Sequence, residues 1–223
     1  MAAIPSFRGV TLDGFVDHLA SSEAVPGGGS ASAVTASLGA ALLAMVASLS
    51  EGRPKYEQHA ALHAEAKSAG KGLADRLLTI ADDDAAAYAF YASAMKLPRE
   101  SDDERAARER AMARAARGAS EVPLRCVEAC LEIVVYAEAL AGRSNRSASS
   151  DLEVAALLAN AAAAGAGANV LVNLPSIGDE THAVHLRART TELLHDIERL
   201  AEATRERVRA GDAREPLEGP VAA

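Results

Sequence analysis

The chain has 223 residues, 49% of them hydrophobic but only 3% aromatic, with no tryptophan, so alanine must supply much of the burial. A formal net charge of -8 argues against nucleic acid as a partner, because phosphate neutralisation demands a basic stripe. Cys126 and Cys130 are spaced for one helix face, not for a disulfide, and read as thiols in a reducing compartment. With no apolar leader after Arg8, the expected location is cytoplasmic.

From the N-terminus, Thr11 opens a short amphipathic helix to about Ser21, with Leu12, Phe15, Val16 and Leu19 on one side. Pro26-Gly27-Gly28-Gly29-Ser30 then leads directly into an Ala-rich run ending near Ser50. That run reads as a buried helix entered through a glycine loop. Its free N–H groups and positive dipole end face whatever precedes Ser30, either a plain turn or an electron-rich ligand group. No Gly-Lys-Ser/Thr follows, so the loop is not a phosphate cradle. The run is long enough to cross a membrane, but its serines and lack of bulky aliphatics favour a buried soluble helix.

Gly52 and Pro54 break the chain. A helical pattern follows from Lys55 to about Lys96. Its polar first half is expected to be exposed. Its second half carries Leu73, Leu77, Ile80, Asp84, Tyr88, Tyr91 and Met95 on one stripe, before Leu97-Pro98 stops it. Ser101 with Glu104 forms a helix start, and Pro123 is expected to kink or split that helix before it ends near Gly142. After a polar loop from Arg143 to Ser150, Asp151 opens a second Ala-rich helix, which Pro175 ends. Asp179-Glu180 begins the last helix, to about Arg209, and residues 211–223 read as a flexible tail. No segment has strand periodicity. The expected fold is all-α, a single-domain multi-helix bundle with two central Ala-rich helices, and so much alanine surface points to a homo-oligomer.

Chemistry is expected where polar groups interrupt apolar stripes, because burying a charge is costly. Asp84 stands between Ile80 and Tyr88. It fits either a general acid/base with a raised pKa or an aspartate satisfied by a neighbouring helix. Asp82 and Asp83 point elsewhere around that helix. Asn145, Ser150, Asp151, Asn169 and Asn173 form a second polar set. Asn169 and Asn173 share one helix face, suited either to a heterocyclic edge or to core hydrogen bonding. Metal is not expected: His59 and His63 lack the intervening Glu of a metalloprotease helix, and Glu-x-x-His occurs once, at Glu192–His195.

Taken in order, PGGGSASAVTASLGAAL, Gly52-Arg53 with Tyr56, Asp82-x-Asp84-Ala85 with Tyr88 and Tyr91, Leu97-Pro98, Val122-Pro123-Leu124, Asn145 with Ser150-Asp151, and Asn169 to Leu174 resemble the cyclodeaminase/cyclohydrolase family. That family includes the C-terminal domain of formiminotransferase-cyclodeaminase and stand-alone methenyltetrahydrofolate cyclohydrolases. The resemblance spans nearly the whole chain; Arg53 and Arg99 stand where relatives often carry lysine. It implies an all-α fold, a dimer, and a tetrahydrofolate substrate with no metal or prosthetic group. It puts the catalytic aspartate at Asp84, and substrate contacts at Gly28, Gly29, Ser30, Arg53, Lys55, Asp82, Asn145, Asp151, Asn169 and Asn173. Arg53 and Lys55 would meet the substrate's glutamate tail. The implied reaction is hydrolysis of 5,10-methenyltetrahydrofolate to 10-formyltetrahydrofolate. The alternatives are cyclodeamination of 5-formiminotetrahydrofolate with release of ammonia, and a non-catalytic helical protein of the same fold. Absence of an attached formiminotransferase segment favours the hydrolase.

Overall fold

Helix-starting side chains set the elements. Thr11 accepts from the Gly14 N–H, Ser101 and Glu104 form a reciprocal capping box, and Asp179 accepts from the His182 N–H. The structure, a computed structural model, describes residues 6–221. It contains α1 (Leu12–Leu19), α2 (Gly28–Ser50), α3 (Ala60–Met95), α4 (Asp102–Leu140), α5 (Ser149–Asn173) and α6 (Glu180–Ala210), with no strand among the described residues.

Neighbouring helices run antiparallel, as their cross-contacts show. On α3, Ser30 of α2 meets Asp84 while Ala40 and Ala44 face Gly70. On α5, Ser32 faces Gly165 and Gly39 faces Ala155. Along α3 and α4, Asp83 pairs with Arg125 and Glu65 with Tyr136. The small residues are what permit this closeness. A Cβ on Gly70 would lie 2.8 Å from the Ala40 carbonyl oxygen, and one on Gly39 3.0 Å from that of Ala155. Leu43, Val46, Leu77, Ile133, Leu140, Leu152, Leu193 and Ile197 fill the main core between them.

The two Ala-rich helices pack on each other at the centre, and each keeps one apolar stripe exposed: Leu38, Met45 and Leu49 on α2, Val154, Leu157 and Val172 on α5. By length and hydropathy, α2 and the span Arg146–Ser176 could each cross a membrane. Of their apolar windows, 56% is buried inside the protein for α2 and 44% for the span Arg146–Ser176.

Three expectations need correction. The start of the second long helical segment is exposed on one side only: Pro54–His59 is a 3-10 turn with Lys55, Glu57 and Gln58 exposed, whereas His59, Leu62, His63 and Ala66 are buried. The His63 ring nitrogen Nε2 bonds the Arg143 carbonyl (2.9 Å), because the loop after α4 folds over this end of α3. Pro123 does not break its helix, which runs unbroken from Asp102 to Leu140. The Ala119 carbonyl, deprived of its intrahelical donor, accepts from the Asn173 side chain of α5 (3.0 Å). Finally, the segment after α6 is anchored as far as residue 221. The Arg214 N–H donates to the Gly142 carbonyl (3.0 Å), Arg143 Nε donates to the Glu215 carbonyl (2.6 Å), and Val221 packs on the core. The last two residues of the expected tail lie outside the described residues. Cys126 and Cys130 are free and buried; their mutual hydrogen bond, with burial, pushes the Cys130 thiol well up.

Candidate active site

Gly27 is the N-cap of α2 and offers no side-chain acceptor to the first turn. Asp84 of α3 comes up against that turn instead. Ser30, fully buried, donates from Oγ to Asp84 Oδ2 (2.9 Å) and also lies 3.1 Å from the Ala81 carbonyl oxygen. One hydroxyl proton thus faces two acceptors. When Asp84 is ionised, the proton goes to the carboxylate. When Asp84 is protonated at Oδ2, it can donate to Ser30, whose own proton turns to Ala81. Gly29 is required by space: a Cβ there would lie 2.1 Å from Asp84 Oδ1.

Burial pushes the Asp84 carboxyl above the usual aspartate range, and the Ser30 hydrogen bonds only partly offset it. Neighbouring charges are used elsewhere. Asp83 pairs with Arg125 (2.7 Å), and Asp82 accepts from the Ser6 hydroxyl (2.6 Å) and the Phe7 N–H (2.8 Å), pinning the N-terminal segment to α3. Asp84 faces a cleft of about 290 Å³ lined by Ala24, Val25, Gly27, Gly28, Gly29, Ala87, Tyr88, Tyr91, Ala119, Asn169 and Asn173. Asp84 is the one charged side chain on this lining among the described residues.

The two asparagines close the far wall. Asn169 Nδ2 donates to the Gly165 carbonyl (2.8 Å). Asn173 Nδ2 donates to the Asn169 carbonyl (2.8 Å) and to the Ala119 carbonyl (3.0 Å). Both protons of the Asn173 amide are used, so its Oδ1 is the atom left for a ligand. The wall is therefore rich in acceptors, with phenol rings on α3 beside it.

The structure brings together Gly28, Gly29, Ser30, Asp84, Asn169 and Asn173. It places Arg53, Lys55, Asn145 and Asp151 at the opposite end of α2. Arg53 starts the turn after α2, and Lys55 lies over the Tyr56 ring at 5.5 Å. The Asn145 N–H donates to Ser50 Oγ (2.8 Å), and Asp151 is in the first turn of α5. A 23-residue helix is about 35 Å long, so no small ligand spans both groups within one chain. Tyr88 and Tyr91 were legible on the Asp84 stripe but not as cleft lining. Val25 and Ala119 carry no sequence signal at all. Histidines do not gather here, and among the described residues no three His, Cys, Asp or Glu side chains could share a metal ion.

A lone half-buried acid, held by a serine at a helix start and facing a cleft with no other charged side chain among the described residues, is the feature of this helical protein that fits a candidate acid/base site. Residues 11–192 match the family described as Formiminotransferase-cyclodeaminase, and the chain belongs to that family. It is 37% identical over 173 residues to a methenyltetrahydrofolate cyclohydrolase of Methylorubrum extorquens, covering 78% of this chain and 83% of that one. It is 33% identical to a formimidoyltransferase-cyclodeaminase of Sus scrofa, covering 89% of this chain but only 37% of that longer protein. Its fold matches a solved formiminotetrahydrofolate cyclodeaminase from Thermotoga maritima with a TM-score of 0.83 at 25% identity, over 91% of this chain and 98% of that one.

Proposed function

We propose that this protein is an enzyme of one-carbon folate interconversion that hydrolyses 5,10-methenyltetrahydrofolate to 10-formyltetrahydrofolate. The observation that carries the reading is Asp84, a half-buried carboxyl without an ion-pair partner, facing a cleft with no other charge among the described residues. Water adds to the methenyl carbon between N5 and N10. Its oxygen–carbon bond forms as the carbon–nitrogen double bond collapses, and Asp84 takes the water's proton. The carbon–N5 bond then breaks as the carbinol oxygen forms the formyl carbonyl and releases its remaining proton to solvent, while Asp84 returns the first proton to N5 and the ring opens. A carboxyl with a raised pKa serves both halves. The positive amidinium substrate favours the ionised acid, and Asn169 and Asn173 offer acceptors to the N–H donors of a pterin edge. Tyr88 and Tyr91 supply flat apolar surface for the ring.

Similarity to the Methylorubrum cyclohydrolase over most of both chains supports hydrolysis. The Thermotoga structure supports the second reading, cyclodeamination, which needs the same proton transfer at the same carbon. The absorbance of 5,10-methenyltetrahydrofolate separates them. Accelerated loss on adding the protein is the expected result; its formation from 5-formiminotetrahydrofolate with ammonia would establish the deaminase, and neither change would leave the non-catalytic reading. Turnover should be unaffected by a chelator, because the proposed proton transfer uses one carboxyl and no metal-ligand cluster; loss restored by added metal would overturn this. The reading also includes a homodimer in a cytoplasmic setting, with neither nucleic acid nor membrane as partner. Exposed apolar stripes on α2 and α5 support the dimer.

A further inference from the structure

Pro123 lies outside the cleft lining, yet its chemistry bears on one of the lining amides. In an α-helix the N–H of each residue bonds the carbonyl four residues earlier. Residue 123 has no N–H, and its ring crowds the carbonyl of residue 119 outward. Proline inside a helix normally costs stability, and here it sits, buried, in the middle of α4. The Ala119 carbonyl it frees is the one that Asn173 Nδ2 reaches from α5, and Ala119 itself lines the cleft. The second Asn173 proton goes to the Asn169 carbonyl of its own helix. Anchors on two helices fix the amide plane; either bond alone would leave the side chain free to turn about its last torsion.

We propose that Pro123 is a positioning residue for the cleft: by withholding an N–H from the Ala119 carbonyl, it reserves that carbonyl for the Asn173 amide and so fixes Asn173 with Oδ1 available to the ligand. That the ligand is a folate rests on the function proposed above; the coupling between Pro123 and Asn173 does not.

The test is a double-mutant cycle. Pro123→Ala supplies the missing N–H, which competes for the Ala119 carbonyl. It should raise the unfolding temperature, as expected for proline removed from a helix interior. It should also raise KM for methenyltetrahydrofolate about tenfold with kcat within about twofold, the loss of one oriented hydrogen bond. A residue with a merely structural role would lose stability and binding together. Asn173→Ala leaves the Ala119 carbonyl without a donor when Pro123 is present. It should therefore lower the denaturant midpoint more in the unmodified chain than in the Pro123→Ala background, where the helix satisfies that carbonyl. Equal losses in both backgrounds overturn the proposal. So does an unchanged KM in Pro123→Ala, or a KM increase accompanied by a lower unfolding temperature. If the unmodified protein turns over no folate, the functional reading fails, and the stability cycle still decides the coupling.

Discussion

Replacing Asp84 with asparagine should lower turnover of 5,10-methenyltetrahydrofolate by about 10² to 10⁴, the usual contribution of a positioned acid/base. The far-UV circular dichroism should be unchanged, because asparagine keeps the shape and can still meet Ser30. The same substitution has an opposite effect on stability. The Asp84 carboxyl titrates above its unfolded value because burial disfavours the charge. Between the two values the native chain holds more protons than the unfolded one, so stability falls as pH rises through that window and is flat above it. Asparagine has no such loss. At pH 7 the variant should therefore unfold at a higher temperature than the unmodified protein, and the difference should vanish below about pH 4, near the unfolded aspartate pKa. Near-normal turnover, or a lower unfolding temperature at pH 7, would remove Asp84 from the role of half-buried acid/base. The rate should rise with pH through a limb displaced above the ordinary aspartate range, and any residual activity of Asp84→Asn should lack it.

Gly29→Ala should be nearly as damaging to activity while leaving the fold intact. The added Cβ would lie 2.1 Å from Asp84 Oδ1 and 2.5 Å from its Cγ. Those atoms end a rotatable side chain, so the carboxylate swings aside and the helices do not part. The swing breaks the bond to Ser30 Oγ and misplaces the acid by an ångström or more. A displacement of that size can cost about 10² in rate. Gly72→Ala is the control: nothing lies within 4 Å of its Cβ, so activity should be kept and stability should rise by up to about 1 kcal/mol, the helix-propensity difference. Equal activity losses in the two variants, read beside their denaturant midpoints, would show that the Gly29 effect is not local.

Most of the helical architecture was legible because its signals are local. Caps at Thr11, Ser101 and Asp179 act within one turn, and Pro54 and Pro175 stop or start helices by rules that need no partner. Of the kink and the break that Pro123 allowed, the break does not occur, and the reason is the complementary one. Whether an internal proline breaks a helix depends on who satisfies the freed carbonyl, and that donor is 50 residues away at Asn173. His63 failed in the same way: its polarity suggested exposure, but the loop carrying Arg143 covers it.

For the site, helical period and composition were enough to show that Asp84 interrupts an apolar stripe, that Gly28 to Ser30 open a helix, and that Asn169 and Asn173 share one face. That these three features meet follows from packing alone. The antiparallel fit of α2 between α3 and α5 carries the start of one helix to the middle of another and the end of a third, a registry set by glycine–backbone contacts at Gly39 and Gly70. The same registry sends Arg53, Lys55, Asn145 and Asp151 to the far end of α2. Side-chain periodicity records which face a residue occupies; which end of a neighbouring helix it meets is settled only when the helices pack.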